Sequence, residues 1–124
     1  MSQAAFDELI HAPLRLQICA MLSPVRSLPF SDVRDSLEIS DSVLSKHLSA
    51  LAAAGYVEVS RVRANSRSRR QVTLTKPGRA ALHGHLAALR AIAAAAAIAE
   101  EPSDAPGPER QHARREVAVD LRIA

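Results

Sequence analysis

Hydroxyl and amino side chains recur at helical spacing in the stretch DSVLSKHLSALAAAG, residues 41–55. At about 100° per residue, Leu44, Leu48 and Leu51 fall within a narrow arc that would anchor a helix to a core. The opposite face is small, polar and singly basic, and consists of Ser42, Lys46, Ser49 and Ala53, with Ser45 on one flank. Serine hydroxyls and a lysine can hydrogen-bond base edges or phosphates, and a face this small can enter a major groove about 12 Å wide.

Two alternative interpretations of this face are an ordinary solvent-exposed surface and a catalytic site. An exposed helix face more often carries Glu and Lys in i, i+4 pairs, and this one carries no Glu. Ser45 and His47 point about 160° apart on a helix, so they cannot act together as nucleophile and base, and His47 falls near the core boundary. The sequence has no Gly-rich phosphate loop, no metal-ligand cluster and no G-x-S-x-G turn, so we expect no enzymatic activity.

Two segments of alternating apolar residues follow, separated by the polar turn ANSRS, residues 64–68, and this region contains five arginines. This pattern predicts a β-hairpin. Arg61 and Arg63 lie on its incoming strand, and the others lie in or beside the turn: Arg67, Arg69 and Arg70. A guanidinium near the tip of a hairpin can enter a narrow minor groove or bridge phosphates. Phosphate contacts release counterions and carry little sequence information, so discrimination between sequences would come from the helix.

The basic residues are concentrated, although the formal net charge is only +3. Residues 56–79 contain seven Lys and Arg residues and a single acidic residue, Glu58. A basic segment on a near-neutral body indicates a polyanionic partner, which for this pattern is double-stranded DNA. Two alternatives stay open: a solvated charged surface, and a protein-interaction module whose basic hairpin meets an acidic partner.

The elements that would position these residues begin with three short helices. Residues 2–12 are predicted to form the first helix, and Pro13 suits the first position of the second, PLRLQICAML. A connector, residues 23–30, leads to a third helix that Ser31 can cap.

A helix-turn-helix unit and a long last helix complete the predicted fold. The fourth helix, which carries the serines, would be capped by Ser40 and ended by Gly55. A turn of about four residues separates it from the third helix, as in a helix-turn-helix. Thr75 can cap the last helix, residues 76–100. The sequence therefore predicts a mainly α fold with a small β-hairpin.

This order of elements resembles the winged helix-turn-helix of bacterial transcriptional regulators of the MarR and ArsR type, especially small stand-alone winged helix DNA-binding domains. The segments that carry the resemblance are LIHAPLRLQICAML, FSDVRDSLEISDSVLSKHLSALAAAGYVEV and VTLTKPGRAAL, within residues 9–82. The resemblance implies a homodimer that binds an inverted repeat near a promoter, most often as a repressor. It also implies groove contacts from Ser42, Ser45 and Lys46 and backbone contacts from the hairpin, the wing of this fold.

Two positions depart from the pattern of these regulators. Glu38 stands in the turn where relatives commonly have glycine, and a non-glycine residue in a left-handed conformation there costs about 1 kcal/mol. Ala12 stands where relatives often have a serine cap, whose loss costs a similar amount. Both departures affect stability rather than the DNA-facing residues.

An apolar seam on the last helix recurs at spacings of four, three and four residues: Leu82, Leu86, Leu89 and Ala93. It can pack on the first helix of its own subunit or on the same helix of another subunit. Only Phe6, Phe30 and Tyr56 are aromatic and much of the apolar content is alanine, so the core is small and we expect a homodimer. Phe6 and the four seam residues are the predicted interface.

Nothing in the sequence predicts a cofactor, a metal or a small-molecule effector. Cys19 is the single cysteine; it excludes an internal disulfide, is expected in the core and fits a reducing compartment. His83 and His85 are about 200° around a helix from each other, so they point about 160° apart and cannot bind one ion from the same subunit, although a site across a dimer stays open. No secretory signal is visible, and the Ala-rich stretch around residue 95 is expected to be too short and too weakly hydrophobic to span a bilayer, so we expect a cytoplasmic protein.

Residues 1–100 are expected to form the winged helix domain, including a dimerisation helix. Residues 101–124 are expected to form a Pro- and Gly-containing linker and a flexible tail. In the tail, apolar residues alternate with a period of two: Val117, Val119, Leu121 and Ile123. This pattern is typical of a strand, and disorder, an added edge strand and docking on a partner stay open.

Overall fold

The computed structural model describes residues 4–65 and 67–99 of this chain. Within those residues it contains five helices and three strands, as the mainly α fold with a β-hairpin predicted. Their bounds are α1 Glu8–His11, α2 Pro13–Leu22, β1 Leu28–Pro29, α3 Phe30–Leu37, α4 Asp41–Ala53, β2 Val57–Ala64, β3 Arg67–Leu74 and α5 Lys76–Ala99. The predicted linker and tail, residues 101–124, lie outside the described residues.

The first three helices begin where local chemistry permits, with two differences from the prediction. The first helix was predicted over residues 2–12, but α1 is a single turn that follows Asp7, whose carboxylate accepts the Ile10 N–H at 3.0 Å. α2 begins at Pro13, and Ala12 before it provides no side-chain cap, as expected. The prediction that Ser31 caps α3 was wrong: Pro29, with φ −61° and ψ 144°, is the N-cap residue, so α3 starts at Phe30 and Ser31 lies inside it.

The predicted hairpin is present as β2 and β3, and a third strand, β1, extends it to an antiparallel sheet with the strand order β1-β3-β2. The added strand, β1, pairs Leu28 with Val72 and Pro29 with Gln71. It lies in the segment predicted to be a connector. Two residues cannot show an alternating pattern, and a proline is compatible only with an edge position, so this strand could not be predicted from local periodicity.

The core is built from leucine, isoleucine and valine around one phenylalanine, as the composition predicted. Its buried apolar residues are Ile10, Ile18, Cys19, Leu22, Phe30, Val33, Leu44, Leu48, Leu51, Val57, Val72, Leu74 and Leu82. Cys19 is fully buried, which confirms its expected place in the core. Burial, together with the negative charge of Asp7, raises the pKa of the Cys19 thiol to about 11, so this thiol is neutral and unreactive at neutral pH.

The start of α5 is fixed by Thr75 and Gly78. The Thr75 hydroxyl accepts the Gly78 N–H at 3.0 Å, which confirms the predicted cap, and donates to the Gly55 carbonyl at 2.6 Å. A Cβ atom at position 78 would overlap the Tyr56 carbonyl oxygen, so only glycine lets the helix pass this close to the chain that enters β2. The first turn of α5 is thereby joined to the end of the helix-turn-helix.

The apolar part of α5 is longer and more hydrophobic than the expectation for the Ala-rich stretch. By length and composition alone, residues 76–97 are long and apolar enough to cross a membrane, with a mean hydropathy of 1.3. Alanine supplies much of that hydropathy and buries little apolar area, and the same helix places Leu82 and His85 in the protein interior. This helix is therefore weak evidence for a membrane span.

Candidate nucleic-acid interface

The turn between α3 and α4 is a Schellman motif with a strained residue. Glu38 follows α3 in the left-handed region, with φ 56° and ψ 48°, as the departure from glycine predicted. The Glu38 N–H donates to the Asp35 carbonyl at 3.2 Å, and the Ile39 N–H donates to the Arg34 carbonyl at 3.3 Å. The chain reverses sharply here, so α4 starts three residues after Glu38.

Arg34 and Ser40 fix the start of α4 against α3. The Arg34 guanidinium lies 2.8 Å from the carboxylate of Asp35 and 2.9 Å from that of Asp41, the first residue of α4. These contacts raise the pKa of Arg34, and its hydrogen bond lowers the pKa of Asp35. The Ser40 hydroxyl accepts the Val43 N–H at 3.2 Å, which confirms the predicted cap. The two helices of the helix-turn-helix are thus connected by charge as well as by backbone.

The helix α4 has the two faces that its sequence predicted. Leu44, Leu48 and Leu51 are buried in the core. The opposite side chains are exposed, namely Ser42, Lys46, Ser49 and Ala53, while Ser45 on the flank is half-buried. We call Ser42, Ser45, Lys46 and Ser49 the recognition face. It offers hydroxyls and one ammonium group, and the described residues place no carboxylate on it.

A contact that the sequence did not indicate holds the flank of α4. Arg15 of α2 donates to the Leu9 carbonyl at 2.6 Å through Nε, and its Nη1 lies 3.2 Å from Nδ1 of His47. His47 is half-buried at the core boundary, as predicted. Burial, and then the positive charges of Arg15 and Lys46, lower the pKa of His47, so its ring is neutral at neutral pH and accepts from the guanidinium.

The hairpin β2–β3, residues 57–74, is the predicted wing, and its register divides the arginines between two faces. Arg61 is paired with Arg70 and Arg63 with Ser68, whereas Arg69 is opposite Val62 and Arg67 is opposite Ala64. Cross-strand partners lie on the same face of the hairpin, and successive residues of one strand lie on opposite faces. One face, which includes the buried residues Val57, Val72 and Leu74, therefore carries Arg61, Arg63 and Arg70; the other carries Arg67 and Arg69.

Two arginines of the first face contact their own chain. Nη1 of Arg61 donates to the Ser68 hydroxyl at 3.1 Å. The guanidinium carbon of Arg70 lies 3.6 Å from the centre of the Phe30 ring, a cation–π contact with the first residue of α3. Arg67, Arg69 and Arg70 all lie within β3 rather than in the turn, because the strands extend closer to the tip than the polar sequence ANSRS suggested.

The second face of the wing forms a groove that contains the other two arginines. Its volume is about 490 Å³, and it is lined by Val62, Asn65, Arg67, Arg69 and Gln71. Four of these five residues are on the face assigned by the strand register. Two guanidiniums and two carboxamides around one apolar side chain form a surface suited to a phosphate backbone.

The predicted dimer residues are divided between the surface and the core of the subunit. Phe6 is 44% exposed, Leu86 and Leu89 are half-buried, and Ala93 is exposed. Leu82 does not lie at the surface: it is 2% exposed and belongs to the hydrophobic core of its own chain. The seam thus starts inside the subunit and reaches the surface only from Leu86 onward.

The two histidines of α5 point to different sides of the helix and occupy different environments. His83 is exposed, whereas His85 is fully buried. Within the described residues, no group of three or more His, Cys, Asp or Glu side chains is placed to hold a metal ion. His85 instead contacts His11 and Asp7, which lie more than seventy positions earlier in the chain. No local pattern in the sequence could indicate that cluster.

Comparisons with known proteins support the geometry of the helix-turn-helix and wing. The sequence model of a family described as winged helix DNA-binding domain matches residues 14–93. A transcriptional regulator homologue from Pyrococcus horikoshii has 29% sequence identity and a TM-score of 0.68, over 72% of this chain and 88% of that one. Reduced HlyU from Vibrio cholerae has 30% identity and a TM-score of 0.52, over 61% and 76% of the two chains.

The YusO protein from Bacillus subtilis shares the fold, with 21% identity and a TM-score of 0.60 over 90% of this chain and 75% of that one. A search of curated proteins found no match. The matched family region begins in α2, contains the recognition face and the wing, and extends to Ala93 in α5.

Proposed function

The chain belongs to the winged helix DNA-binding domain family of transcriptional regulators, and on this premise we propose that it recognises a specific sequence in double-stranded DNA. The observation that carries the proposal is the exposed, carboxylate-free recognition face on a helix whose other side is fixed in the core by three leucines. A rigid helix with short polar side chains can lie deep in a major groove and read base edges.

Within the recognition face, Lys46 is assigned the central role. Its ammonium group is the one cation on that face in the described residues and can donate to the O6 and N7 acceptors of a guanine. Ser42 and Ser49 are exposed one turn before and one turn after it and can donate to, or accept from, bases or phosphates. Ser45 is half-buried, so it reaches a phosphate at the edge of the groove rather than a base.

The wing is assigned to the DNA backbone or the adjacent minor groove. Arg67 and Arg69 share the grooved face with two carboxamides and supply the main positive charge there. Arg63 also lies exposed near the tip. Arg61 and Arg70 already contact Ser68 and Phe30, so DNA must compete with those contacts and gains less from them. These contacts provide affinity that depends on salt but not on sequence.

The proposal includes a homodimer that binds an inverted repeat and represses transcription in the cytoplasm. Phe6, Leu86, Leu89 and Ala93 are the surface residues proposed for the interface, without Leu82. Two recognition helices in a dimer read half-sites about one helical turn of DNA apart, so a palindromic site follows from the symmetry of the protein. A dimer bound across a promoter excludes polymerase, which makes repression the simplest outcome.

Selection of bound sequences from a random duplex library tests this proposal. We expect an enriched inverted repeat. On that site, Lys46→Ala should lose about 1–3 kcal/mol of binding free energy and relax the preference at one position of each half-site. Arg67→Ala should weaken binding to all sequences alike and reduce the salt slope by about 1. Arg90→Ala, which removes the same charge from an exposed position of α5, is the matched control and should change neither.

Two results would contradict the proposal. One is a library from which no sequence is enriched, which would favour the alternative of a protein-interaction module with a basic wing. The other is an unchanged sequence preference in Lys46→Ala. Light scattering at micromolar concentration tests the dimer separately, because a strict monomer would remove the model of two half-sites.

A further inference from the structure

The residues before α1 are bound to α5 by backbone and side-chain hydrogen bonds. The Ala5 N–H donates to the Gly84 carbonyl at 3.0 Å, and the Asp7 N–H donates to Nδ1 of His85 at 3.0 Å. The Tyr56 hydroxyl donates to the second carboxylate oxygen of Asp7 at 2.6 Å. We call Ala5–Asp7 the N-terminal strap. Its position depends on the side chain of His85, which is fully buried.

These contacts determine the protonation of two histidines. A backbone N–H can only donate, so Nδ1 of His85 is an acceptor and the ring proton of the neutral His85 is on Nε2. Nε2 of His85 lies 3.2 Å from Nδ1 of His11, so the Nε2–H donates and Nδ1 of His11 accepts. A proton added to Nδ1 of either ring would place two N–H groups against each other. The arrangement requires both rings to be neutral.

Among the described residues, the carboxylate near His85 is that of Asp7, and it already accepts hydrogen bonds from other groups. Its charged and titratable neighbours are His11 of α1, Asp7 at the start of α1, and then Tyr56 and Cys19, which face Asp7. The Asp7 carboxylate accepts hydrogen bonds from Ile10 and Tyr56, and the latter raises the pKa of Tyr56 to about 12. The carboxylate is therefore engaged with other donors and accepts no hydrogen bond from the His85 ring.

We propose that His85 and His11 form an acid-sensitive latch, which holds the N-terminal strap on α5 when both rings are neutral and releases it when His85 is protonated. Phe6 completes the latch, because its ring centre lies 4.7 Å from that of His11 and 4.6 Å from that of His85. Release breaks the Asp7–His85 hydrogen bond, removes Phe6 from both rings and exposes the buried face of α5.

The direction of the pH dependence follows from burial. Burial, and then the electrostatic interaction with the neighbouring His11, lower the pKa of His85, and the attraction of Asp7 opposes them only in part. The released state therefore binds a proton more readily than the latched state. The latch is at full strength above the ordinary histidine pKa of about 6.5 and is lost as the pH falls below it.

A consequence for assembly rests on the proposed function. Phe6 and the exposed part of α5 are the surfaces assigned there to the homodimer, so release of the strap is expected to weaken dimerisation in mild acid. The latch itself does not depend on DNA binding, and the two can be tested separately.

Nuclear magnetic resonance of the 124-residue chain tests the latch. Imidazole ¹⁵N spectra at about pH 7.5 should show His85 and His11 with the proton on Nε2 and Nδ1 unprotonated. Between about pH 7.5 and about pH 5.5, the hydrogen-exchange protection factor of the Asp7 amide should fall about tenfold, as expected for one proton bound only in the released state. The Leu48 and Leu51 amides of α4 serve as internal references that should not follow this change.

Two variants separate the latch from general acid sensitivity. His85→Asn keeps an oxygen acceptor near the position of Nδ1 but cannot be protonated, so the Asp7 amide should lose its pH dependence. His83→Asn is the same substitution at an exposed α5 position two residues away, and it should behave like the unmodified protein. Should His85→Asn not fold, His11→Phe at an exposed position keeps the ring contact with Phe6, and the lost acceptor should lower the protection of the Asp7 amide at neutral pH.

Three results would overturn the inference. They are a proton on Nδ1 of His85 at neutral pH, a protection factor at Asp7 that is constant while His85 titrates, and equal pH dependence in His85→Asn and the unmodified protein. If the fallback variant is used, unchanged protection in His11→Phe has the same meaning. A failure of DNA binding would leave these measurements intact, so the two proposals fail independently.

Discussion

Replacing Glu38 by glycine should stabilise the protein by about 1 kcal/mol, because the chain contains the same capping motif twice with different residues. Gly55 follows α4 with φ 82°. The Gly55 N–H donates to the Ala52 carbonyl and the Tyr56 N–H to the Leu51 carbonyl, the same pattern that the two amides after α3 show. A left-handed L-residue costs about 1–2 kcal/mol, and the greater freedom of glycine in the unfolded chain offsets part of the gain.

Gly55→Ala measures the same penalty in the opposite direction and calibrates the expectation. A Cβ atom at position 55 meets no atom within 4 Å, so the cost of that substitution comes from conformation and not from a clash. We expect about 1 kcal/mol of destabilisation from Gly55→Ala and a gain of similar size from Glu38→Gly, which corresponds to about 4–8 °C in Tm for a domain of this size. Glu38→Ala, which keeps the Cβ, is the matched control and should gain little.

Urea unfolding followed by circular dichroism gives these free energies, and both substituted positions lie off the recognition face. If Glu38→Gly is no more stable than Glu38→Ala, strain at position 38 is not what its dihedral angles imply. If Glu38→Gly also changes DNA sequence preference, the assignment of recognition to the outer face of α4 is incomplete.

Two further predictions concern the helix cap and the wing. Ser40→Ala should lower the unfolding free energy by about 0.5–2 kcal/mol in the same urea assay, since the Val43 N–H loses its acceptor, whereas Ser31→Ala should be nearly neutral because Ser31 caps nothing. The double substitution Arg67→Ala with Arg69→Ala should reduce the slope of log K against log salt by about 2 in fluorescence anisotropy, with the preferred sequence unchanged. An unchanged slope would mean that the grooved face of the wing does not touch phosphates.

The parts of the interface that the sequence could predict depend on local periodicity. Leucines at positions 44, 48 and 51 define the buried side of α4 without reference to any other element, so the recognition face opposite them follows directly. Ser40, Gly55 and Thr75 were predictable for the same reason, because a cap acts within one turn. The exception is Ser31, because Pro29 occupies the N-cap position two residues earlier than a preference for serine suggested.

The parts that the sequence could not predict depend on contacts between distant positions. Arg70 stacks on Phe30 only because β3 pairs with β1, and β1 is too short to leave a pattern. The division of the arginines between two faces of the wing depends on the register, and a polar turn of five residues does not fix a register. The contact of His85 with His11 joins the two ends of the domain and has no local signal.

The central claim is that the recognition face and the wing of one subunit touch the same duplex at the same time. Cross-saturation from DNA protons to the amides of deuterated protein measures this directly in a complex with the selected site. We predict that Lys46 in α4 and Arg69 in β3 both lose intensity, while Arg90 in α5 does not. Saturation at only one of the first two would contradict the claim.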